Sequence, residues 1–93
     1  MSVDDATIAA FLTQHPQWTH ASDALHTTFT FDTFAAAVAA FNTIAALSDA
    51  ADHHPDLFNS YTTVKITLTS HDQAAVTQRD LDLAASIDEA LDR

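Results

Sequence analysis

Three histidines in the second half of the chain are the side chains best suited to chemistry. His53 and His54 are adjacent and precede Pro55; Tyr61 follows six residues after the proline, and His71 ten residues after Tyr61. Histidine changes its charge near neutral pH, so one such side chain can donate a proton while another accepts one. Pro55 prevents a helix from continuing through the pair, which predicts a loop there. The strand-like segment before His71 would carry all three histidines to one end of a sheet.

The stretch from residue 49 to residue 80 resembles the signature of the pterin-4a-carbinolamine dehydratases. That signature is an acidic residue, the triplet His-His-Pro, an aromatic residue, a histidine and an aspartate at set spacings, matched here by Asp49, residues 53–55, Tyr61, His71 and Asp80. So many fixed residue types make the match more specific than a short motif would be. Trp18 and the sequence FTFDTF at residues 29–34 are similar to the N-terminal half of the family. The resemblance therefore covers nearly the whole chain.

The resemblance implies an enzyme that dehydrates 4a-hydroxytetrahydropterin to quinonoid dihydropterin and water, without a metal or an organic cofactor. This reaction needs an acid for the departing hydroxyl and a base for the proton on N5 of the pterin. We expect His54 and His71 to handle these protons on opposite faces of the pterin, and His53 to hold the substrate or position a partner. The substrate-binding residues expected besides them are Asp49, Pro55, Ser70, Asp72, Gln73, Trp18 and Arg79.

Several of these residues have a second interpretation from sequence. Asp49 either hydrogen-bonds a histidine or is a solvated residue at a helix end. Trp18 is either part of the core or an aromatic wall for a flat ligand. Arg79 pairs with Asp80, reaches the site or is an ordinary surface residue, and the last is slightly favoured. Asp80 is expected to be a structural residue at a helix start.

The chain departs from the family pattern at two places. Ala74 and Ala75 stand where many members carry glycines, and an alanine would be strained there if the loop requires positive φ. Asp49 stands where many members have glutamate, and its side chain is shorter.

Two other functions compete with the enzyme. His53, His54 and His71 with Asp49 are possible zinc ligands, but adjacent histidines usually point apart and the usual ligand spacings are missing. The resemblance also permits a protein-binding or assembly role without catalysis, which nothing specific in the sequence supports.

Hydrophobic periodicity predicts a single α+β domain over residues 1–93. Apolar residues at helical spacing indicate helices over residues 1–14, 33–51 and 78–91, the last two with Asp32 and Thr77 as N-caps. Extended or alternating segments indicate strands over residues 17–22, 25–31, 57–61 and 62–70. The order predicts a four-stranded antiparallel sheet with helices packed on one face. The family resemblance implies the same fold and a homo-oligomer, a dimer or tetramer that packs through the second helix.

Composition excludes several classes of protein. The 93 residues include no cysteine, so neither disulfides nor thiolate chemistry is expected. With 13 acidic residues, 3 basic residues and a net charge of -10, the chain lacks the basic surface that nucleic acids require. We expect no apolar run long enough to span a membrane and recognise no signal peptide, so a soluble cytoplasmic protein is the expectation.

The acidic charge is spread along the chain, mostly as aspartate. It has two interpretations: an ordinary solubilising surface, or adaptation to a salty cytoplasm in which dissolved ions screen the repulsion. We favour the second, and it predicts that molar KCl raises the midpoint of urea unfolding, because the Debye length falls to about 3 Å at 1 M salt. Equal midpoints with and without molar salt would contradict it.

Overall fold

The computed structural model describes residues 2–93, and Met1, the first residue of the predicted N-terminal helix, lies outside them. Helix α1 spans Asp5–Gln14 and starts later than the sequence suggested, because Asp4 is its N-cap. The Asp4 carboxylate accepts a hydrogen bond from the Thr7 N–H at 2.8 Å, which also lowers the pKa of that carboxyl group. The buried side chain of Ile8 packs the helix against the core.

Four strands form one antiparallel sheet, as predicted. They are β1 Thr19–Ala21, β2 Ala24–Thr30, β3 Asp56–Ser60 and β4 Thr63–Leu68, in the spatial order β1-β2-β4-β3. Both hairpins of the predicted order are present, and β2 pairs with β4 at the centre of the sheet.

The two central strands present their apolar side chains to the same face. Leu25 lies opposite Leu68, and Phe29 lies opposite Val64, and all four side chains are buried. The helices cover this face, and the core lies between the two layers, as the alternation of residue types indicated.

Helix α2 spans Phe34–Ala51, and its N-cap is Thr33 rather than the predicted Asp32. Thr33 has extended backbone angles and its hydroxyl accepts a hydrogen bond from the Ala36 N–H at 3.1 Å. Both residue types are good N-caps, so the sequence alone did not separate them. The helix ends at Asp52, which is in the left-handed conformation with φ 50° and turns the chain directly into His53.

By length and composition α2 could span a membrane, which the sequence analysis had not recognised. In the structure it packs against the sheet and the last helix, and its inner face is buried through Ala37, Ala40, Ile44 and Ser48. Much of the rest of this apolar helix is exposed, including Phe34 at its start. Helix α2 is therefore apolar both on the face that packs in the core and on a second face that the described residues do not cover.

Helix α3 spans Gln78–Ala90, and Thr77 is its N-cap, as predicted. Leu81, Ala84 and Ile87 form the predicted apolar stripe and are buried. The N-terminal segment reaches this region too, since the Val3 N–H donates to the Val76 carbonyl at 3.2 Å.

The C-terminal half of α3 holds a buried carboxylate, that of Asp88. Asp88 accepts hydrogen bonds from the Trp18 indole at 3.0 Å and from the Arg93 Nε at 3.2 Å, and it lies 2.7 Å from the His15 Nδ1. Burial lowers the pKa of the Arg93 guanidinium, and the attraction of Asp88 opposes this shift. These contacts fix Trp18, which is 2% exposed, in the core.

The chain contains no glycine, so its left-handed backbone positions are occupied by other residues. Most of them are Asp or Ser, but Ala74 has φ 50° in the turn after His71. A left-handed conformation costs an L-amino acid roughly 1–2 kcal/mol because Cβ approaches the carbonyl oxygen. The strain anticipated for alanine in this loop is therefore present at Ala74.

Replacing Ala74 with glycine should raise the free energy of unfolding by about 0.5–1 kcal/mol, since relief of strain exceeds the added entropy of the unfolded chain. Urea unfolding measures it. The matched control is Ala75→Gly, next in the chain but without positive φ, which should lower stability. A stabilising effect of Ala75→Gly equal to that of Ala74→Gly would contradict the strain at Ala74.

Candidate active site

The three histidines lie at the same end of the sheet. Asp56 at the start of β3 pairs with Thr67 near the end of β4, so the chain enters β3 from residues 53–55 where β4 leaves toward residues 69–71. The N-terminus of α3 lies at this end as well, joined to β4 by hydrogen bonds from Ser70. The register of one hairpin thereby brings together the two histidine segments, which are far apart in sequence.

His53 is held in the interior by Asp80. The His53 Nε2 lies 2.5 Å from Asp80 Oδ1, and His53 is 8% exposed while Asp80 is fully buried. His53 comes from the turn after α2 and Asp80 from the first turn of α3, so this contact joins two helices at the histidine end of the sheet.

The other oxygen of Asp80 is saturated by the loop before α3. Asp80 Oδ2 accepts from the Ser70 hydroxyl at 2.9 Å and from the Thr77 N–H at 2.9 Å. Because the single Ser70 proton goes to Asp80, Thr77 must donate its own hydroxyl proton to Ser70, 2.7 Å away. Three donors thus satisfy the Asp80 carboxylate, and the simplest assignment of protons has His53 donating from Nε2.

This arrangement bears on the roles expected of Asp80 and Ser70. Asp80 does begin α3 as half of a capping box, as predicted, but it also orients His53, a role that sequence reasoning missed although the residue belongs to the signature. Ser70 was expected to contact the substrate; its hydroxyl is bonded to Asp80 and Thr77, and its backbone N–H and carbonyl both pair with Ala75. Ser70 therefore supports Asp80 from inside the protein.

His54 points into solvent, where it pairs with Asp49. The His54 Nε2 lies 2.8 Å from Asp49 Oδ1, and their side chains are 60% and 81% exposed. Of the two interpretations of Asp49, the structure has the hydrogen bond to a histidine, and the shorter aspartate side chain reaches it. Pro55, which lies between His54 and the first residue of β3, is half-buried.

His71 lies exposed in the turn that follows β4. The loop is closed by the pairing of Ser70 with Ala75, and the Ala74 N–H donates to the His71 carbonyl at 3.3 Å. Asp72 lies 2.6 Å from the Arg79 guanidinium, and this hydrogen bond lowers the pKa of the Asp72 carboxyl group. Arg79 therefore pairs with Asp72, not with Asp80.

A cavity of about 360 Å³ opens between α2 and α3, beside His53. This volume is within the range of small-molecule sites, which are mainly apolar with a few polar groups. The described residues that line it are Leu47, Ala50, Ala51, His53, Arg79, Asp82, Leu83 and Ser86. Sequence reasoning had singled out His53 and Arg79 from this set and had overlooked Asp82, which carries no motif signal.

Two aromatic residues of interest lie away from the histidines. The Trp18 indole donates a hydrogen bond to Asp88. Asp88 is eight residues after Asp80 on α3, so the two carboxylates are about 12 Å apart along the helix axis. This burial fits the core interpretation of Trp18 and leaves no face for a ligand. Tyr61, the aromatic residue of the signature, is 72% exposed in the hairpin at the far end of β3 and stacks on Phe34.

The paired side chains of the site do not form a metal cluster. Within residues 2–93, no group of three or more His, Cys, Asp and Glu side chains has the arrangement needed to hold a metal ion. His53 and His54 bond to different carboxylates, one buried and one in solvent.

The chain matches the model of the family described as "Pterin 4 alpha carbinolamine dehydratase" over residues 1–90. A relative from Thermomicrobium roseum, provisionally named pterin-4-alpha-carbinolamine dehydratase, is 41% identical over 94% of each chain. One from Chloroflexus aurantiacus, of the same name, is 39% identical over 96% of each chain.

Two solved structures are similar as well. A crystal structure described as a transcriptional coactivator/pterin dehydratase from Brucella melitensis has a TM-score of 0.90 at 25% identity, covering 96% of this chain and 97% of its own. A pterin dehydratase-like protein identified as a RuBisCO assembly factor in the alpha-carboxysome has a TM-score of 0.64 at 26% identity, covering 77% and 83%.

Asp80→Asn should lower the free energy of unfolding by about 2–4 kcal/mol, because an amide has a single acceptor oxygen and its NH2 group would face buried donors that are then left unpaired. Ser70→Ala should cost about 1–2 kcal/mol by removing one donor. Urea unfolding measures both, and the exposed Glu89→Gln on the same helix should change stability by less than about 0.5 kcal/mol. If Asp80→Asn lowered the free energy of unfolding no more than Glu89→Gln does, the hydrogen bonds of Asp80 would not stabilise the histidine end of the sheet.

Proposed function

The chain belongs to the pterin-4-alpha-carbinolamine dehydratase family, and from that premise we propose that it dehydrates 4a-hydroxytetrahydropterin to quinonoid dihydropterin. The observation that carries this proposal is that three histidines share one end of the sheet, beside a cavity of about 360 Å³. The activity would convert the 4a-hydroxylated pterin left by a hydroxylation reaction into the dihydropterin, which a separate reduction would return to the tetrahydro form.

The reaction requires two proton movements on one flat molecule. The hydroxyl on C4a leaves as water once an acid has protonated it, and the N5–H proton goes to a base as the double bond between C4a and N5 forms. Hydroxide is a poor leaving group, and positioned acids and bases typically contribute 10²–10⁴-fold to such steps. The sum of the two steps is the loss of one water molecule.

We assign the proton transfers to His54 and His71. Both rings are exposed at the end of the sheet, where they can exchange protons with the substrate and with water. Asp49, bonded to the Nε2 of His54 at 2.8 Å, would hold that ring and stabilise the imidazolium formed after proton uptake.

His53 has a different role in this proposal. The buried Asp80 fixes its ring, and the ring also lines the cavity. A histidine held in this way can orient a substrate with its other nitrogen, so we assign His53 to substrate binding.

The loops around the histidines complete the proposed site. Pro55 restricts the backbone of the histidine pair, and Asp72 with Arg79 fixes the turn that carries His71. Gln73 is exposed in that turn and is free to contact the pterin edge. Trp18 and Ser70 are left out, because both are buried and bonded within the protein.

We also propose that copies of the chain assemble through the uncovered face of α2. This helix is apolar, yet its buried residues are confined to Ala37, Ala40, Ile44 and Ser48. Small alanine side chains on the outer face would allow helices of neighbouring copies to approach closely. Sedimentation velocity should therefore give the mass of a dimer or tetramer, and a monomer at tens of micromolar would contradict it.

In stopped-flow absorbance measurements, the protein should accelerate the decay of freshly generated 4a-hydroxytetrahydropterin, and His54→Ala and His71→Ala should each lose about 10²-fold of that acceleration. His20→Ala is the matched control, because His20 is an exposed histidine in β1, the strand at the opposite edge of the sheet from β3. Folded wild-type protein that only matches the buffer rate would overturn the proposed function.

A protein-binding role is the second candidate, favoured by the exposed apolar face of α2 and by the likeness to a RuBisCO assembly factor. In a protein with only this role, the His53–Asp80 and His54–Asp49 pairs would have no catalytic function. Folded protein without dehydratase activity that forms a stable complex with a purified partner, lost on Ala39→Glu in the exposed face of α2, would favour this candidate.

A further inference from the structure

Neither Trp18 nor Tyr61, the two aromatic residues that the sequence motifs single out, lies at the histidine end of the sheet. Trp18 is buried in the core, and Tyr61 lies in the hairpin after β3, at the opposite end of that strand from the histidine pair. The Tyr61 ring stacks on that of Phe34 with centroids 6.5 Å apart and 18° between the planes, and both rings are exposed. A flat ligand would gain from such a surface, but a single chain holds it far from the histidines.

Tyr61 is held in a backbone conformation that a bulky residue rarely adopts. Its φ is 51°, in the left-handed region, which costs an L-amino acid about 1–2 kcal/mol. The Asn59 side chain fixes the turn by donating to the Tyr61 carbonyl at 3.2 Å and to the Thr63 carbonyl at 3.0 Å. The strained turn therefore presents a large apolar ring to the outside. Such outliers cluster at active sites and ligand clamps, and they are a basis for a functional hypothesis.

A seam of small side chains runs along the uncovered face of α2. Its members follow one another at intervals of four and three residues, the spacing at which two helices pack side by side, and all are exposed: Ala35, Ala39, Asn42, Ala46 and Asp49. Alanine side chains let two helix axes approach to about 8 Å. Asn42 lies at the midpoint of the seam, so an antiparallel copy of α2 centred on Asn42 would match the seam along its whole length.

The charge of Asp49 selects this antiparallel orientation. Asp49 lies in the last turn of α2, where the helix dipole disfavours a carboxylate and no basic side chain is present. In a parallel pair, Asp49 would face the same carboxylate of the other copy. In an antiparallel pair it faces the first turn of the other helix, which contains no acidic residue and whose dipole attracts a negative charge. The nearest carboxylate there, Asp32, precedes the N-cap.

This orientation brings the aromatic pair of one copy beside the histidines of the other. Along the helix, Asp49 lies about 10 Å from Asn42 in one direction and Phe34 about 12 Å in the other, so Phe34 of the partner subunit comes level with Asp49. Around the helix, Asp49 and Phe34 are about 60° apart, because fifteen residues make just over four turns. A two-fold axis normal to the plane of the two helices keeps that side facing the same way in both copies. His54, which is 2.8 Å from Asp49, would therefore share a cleft with the aromatic pair of the partner.

We propose that the active site is shared between two copies of the chain, and that Phe34 of the partner subunit and Tyr61 of the partner subunit form the wall on which the pterin lies beside His54. The proposal rests on the dehydratase function and on the assembly through α2 proposed above. It adds the group that completes the site, an aromatic surface for a flat heterocycle. It also gives an exposed, strained residue of the signature a function that its own copy does not use.

Mixed oligomers test the sharing directly. His54→Ala and Tyr61→Asn would be co-expressed with different affinity tags, and oligomers that carry both would be purified for the dehydration assay in molar KCl. Asparagine removes the ring and tolerates a left-handed backbone, so Tyr61→Asn should fold and lose about five- to tenfold of the acceleration. Each mixed pair contains one site with both residues intact. The mixed oligomers should therefore be at least about threefold more active than the mean of the two separate variants.

The control mixture combines His54→Ala with His71→Ala. Both histidines of a site come from the same copy, so these mixed oligomers should have only the mean activity of the two variants. Tyr61→Phe keeps the ring and should retain wild-type activity. Phe58→Ala should retain it too, because the exposed Phe58 ring lies on the opposite face of β3 from Leu57 and the core. Urea unfolding would show that each variant is folded.

The outcomes separate the shared site from the function on which it rests. Wild-type protein that accelerates dehydration, together with His54→Ala and Tyr61→Asn mixtures no more active than the mean, overturns the shared site alone. A folded, monomeric Ala39→Glu variant with wild-type activity does the same. Wild-type protein that does not accelerate dehydration overturns both. Activity above the mean in this mixture, with the two-histidine mixture at the mean, supports the inference.

Discussion

The buried pair of Asp80 and His53 is the interaction on which the histidine end of the molecule depends. A carboxylate without solvent is costly unless donors surround it. Here the donors come from the turn after α2, the segment that follows β4 and Thr77, the N-cap of α3. One buried group therefore sets the relative positions of three segments. The histidine turn cannot shift without leaving Asp80 short of a donor.

A second buried carboxylate does the same at the other end of α3. Asp88 draws together the end of α1 through His15, the start of β1 through Trp18 and the C-terminal residue Arg93. The chain has no disulfide and a small core, so these two polar clusters fasten α3 to the rest of the fold at both of its ends. Neither cluster leaves a buried side-chain polar atom unpaired within residues 2–93, which is the condition for such groups to stabilise a fold.

The division between anchored and exposed histidines follows from this architecture. His53 is rigid because its partner is buried, whereas His54 and His71 stand in loops beside it, exposed to solvent. A reaction that moves protons between a substrate and water requires some groups that are fixed and others that are accessible. The same end of the sheet offers both, and the cavity between α2 and α3 adjoins His53.

The helices and strands could be predicted from the sequence, because their signals are local. Alternation predicted the strands, and helical spacing with Thr77 and Pro55 predicted most helix boundaries, although α1 begins after its N-cap Asp4 and not at residue 1. The motif also identified the family and its histidines. Where two local signals competed, as at Asp32 and Thr33, the sequence left the boundary one residue uncertain. The apolar composition of α2 showed that it was a helix, but not which of its faces the sheet would cover.

Which polar side chains meet depends on the packing of the folded chain. Asp80 and His53 are 27 residues apart in sequence, and Trp18 and Asp88 are 70 apart. Such pairings depend on strand register and helix packing, which no local pattern encodes. For this reason Ser70, which was expected to contact the substrate, lies in the interior, Trp18 takes the core position that was one of its two interpretations, and Arg79 pairs with Asp72. Asp82 lines the same cavity as His53 because α3 packs on α2 in the folded chain.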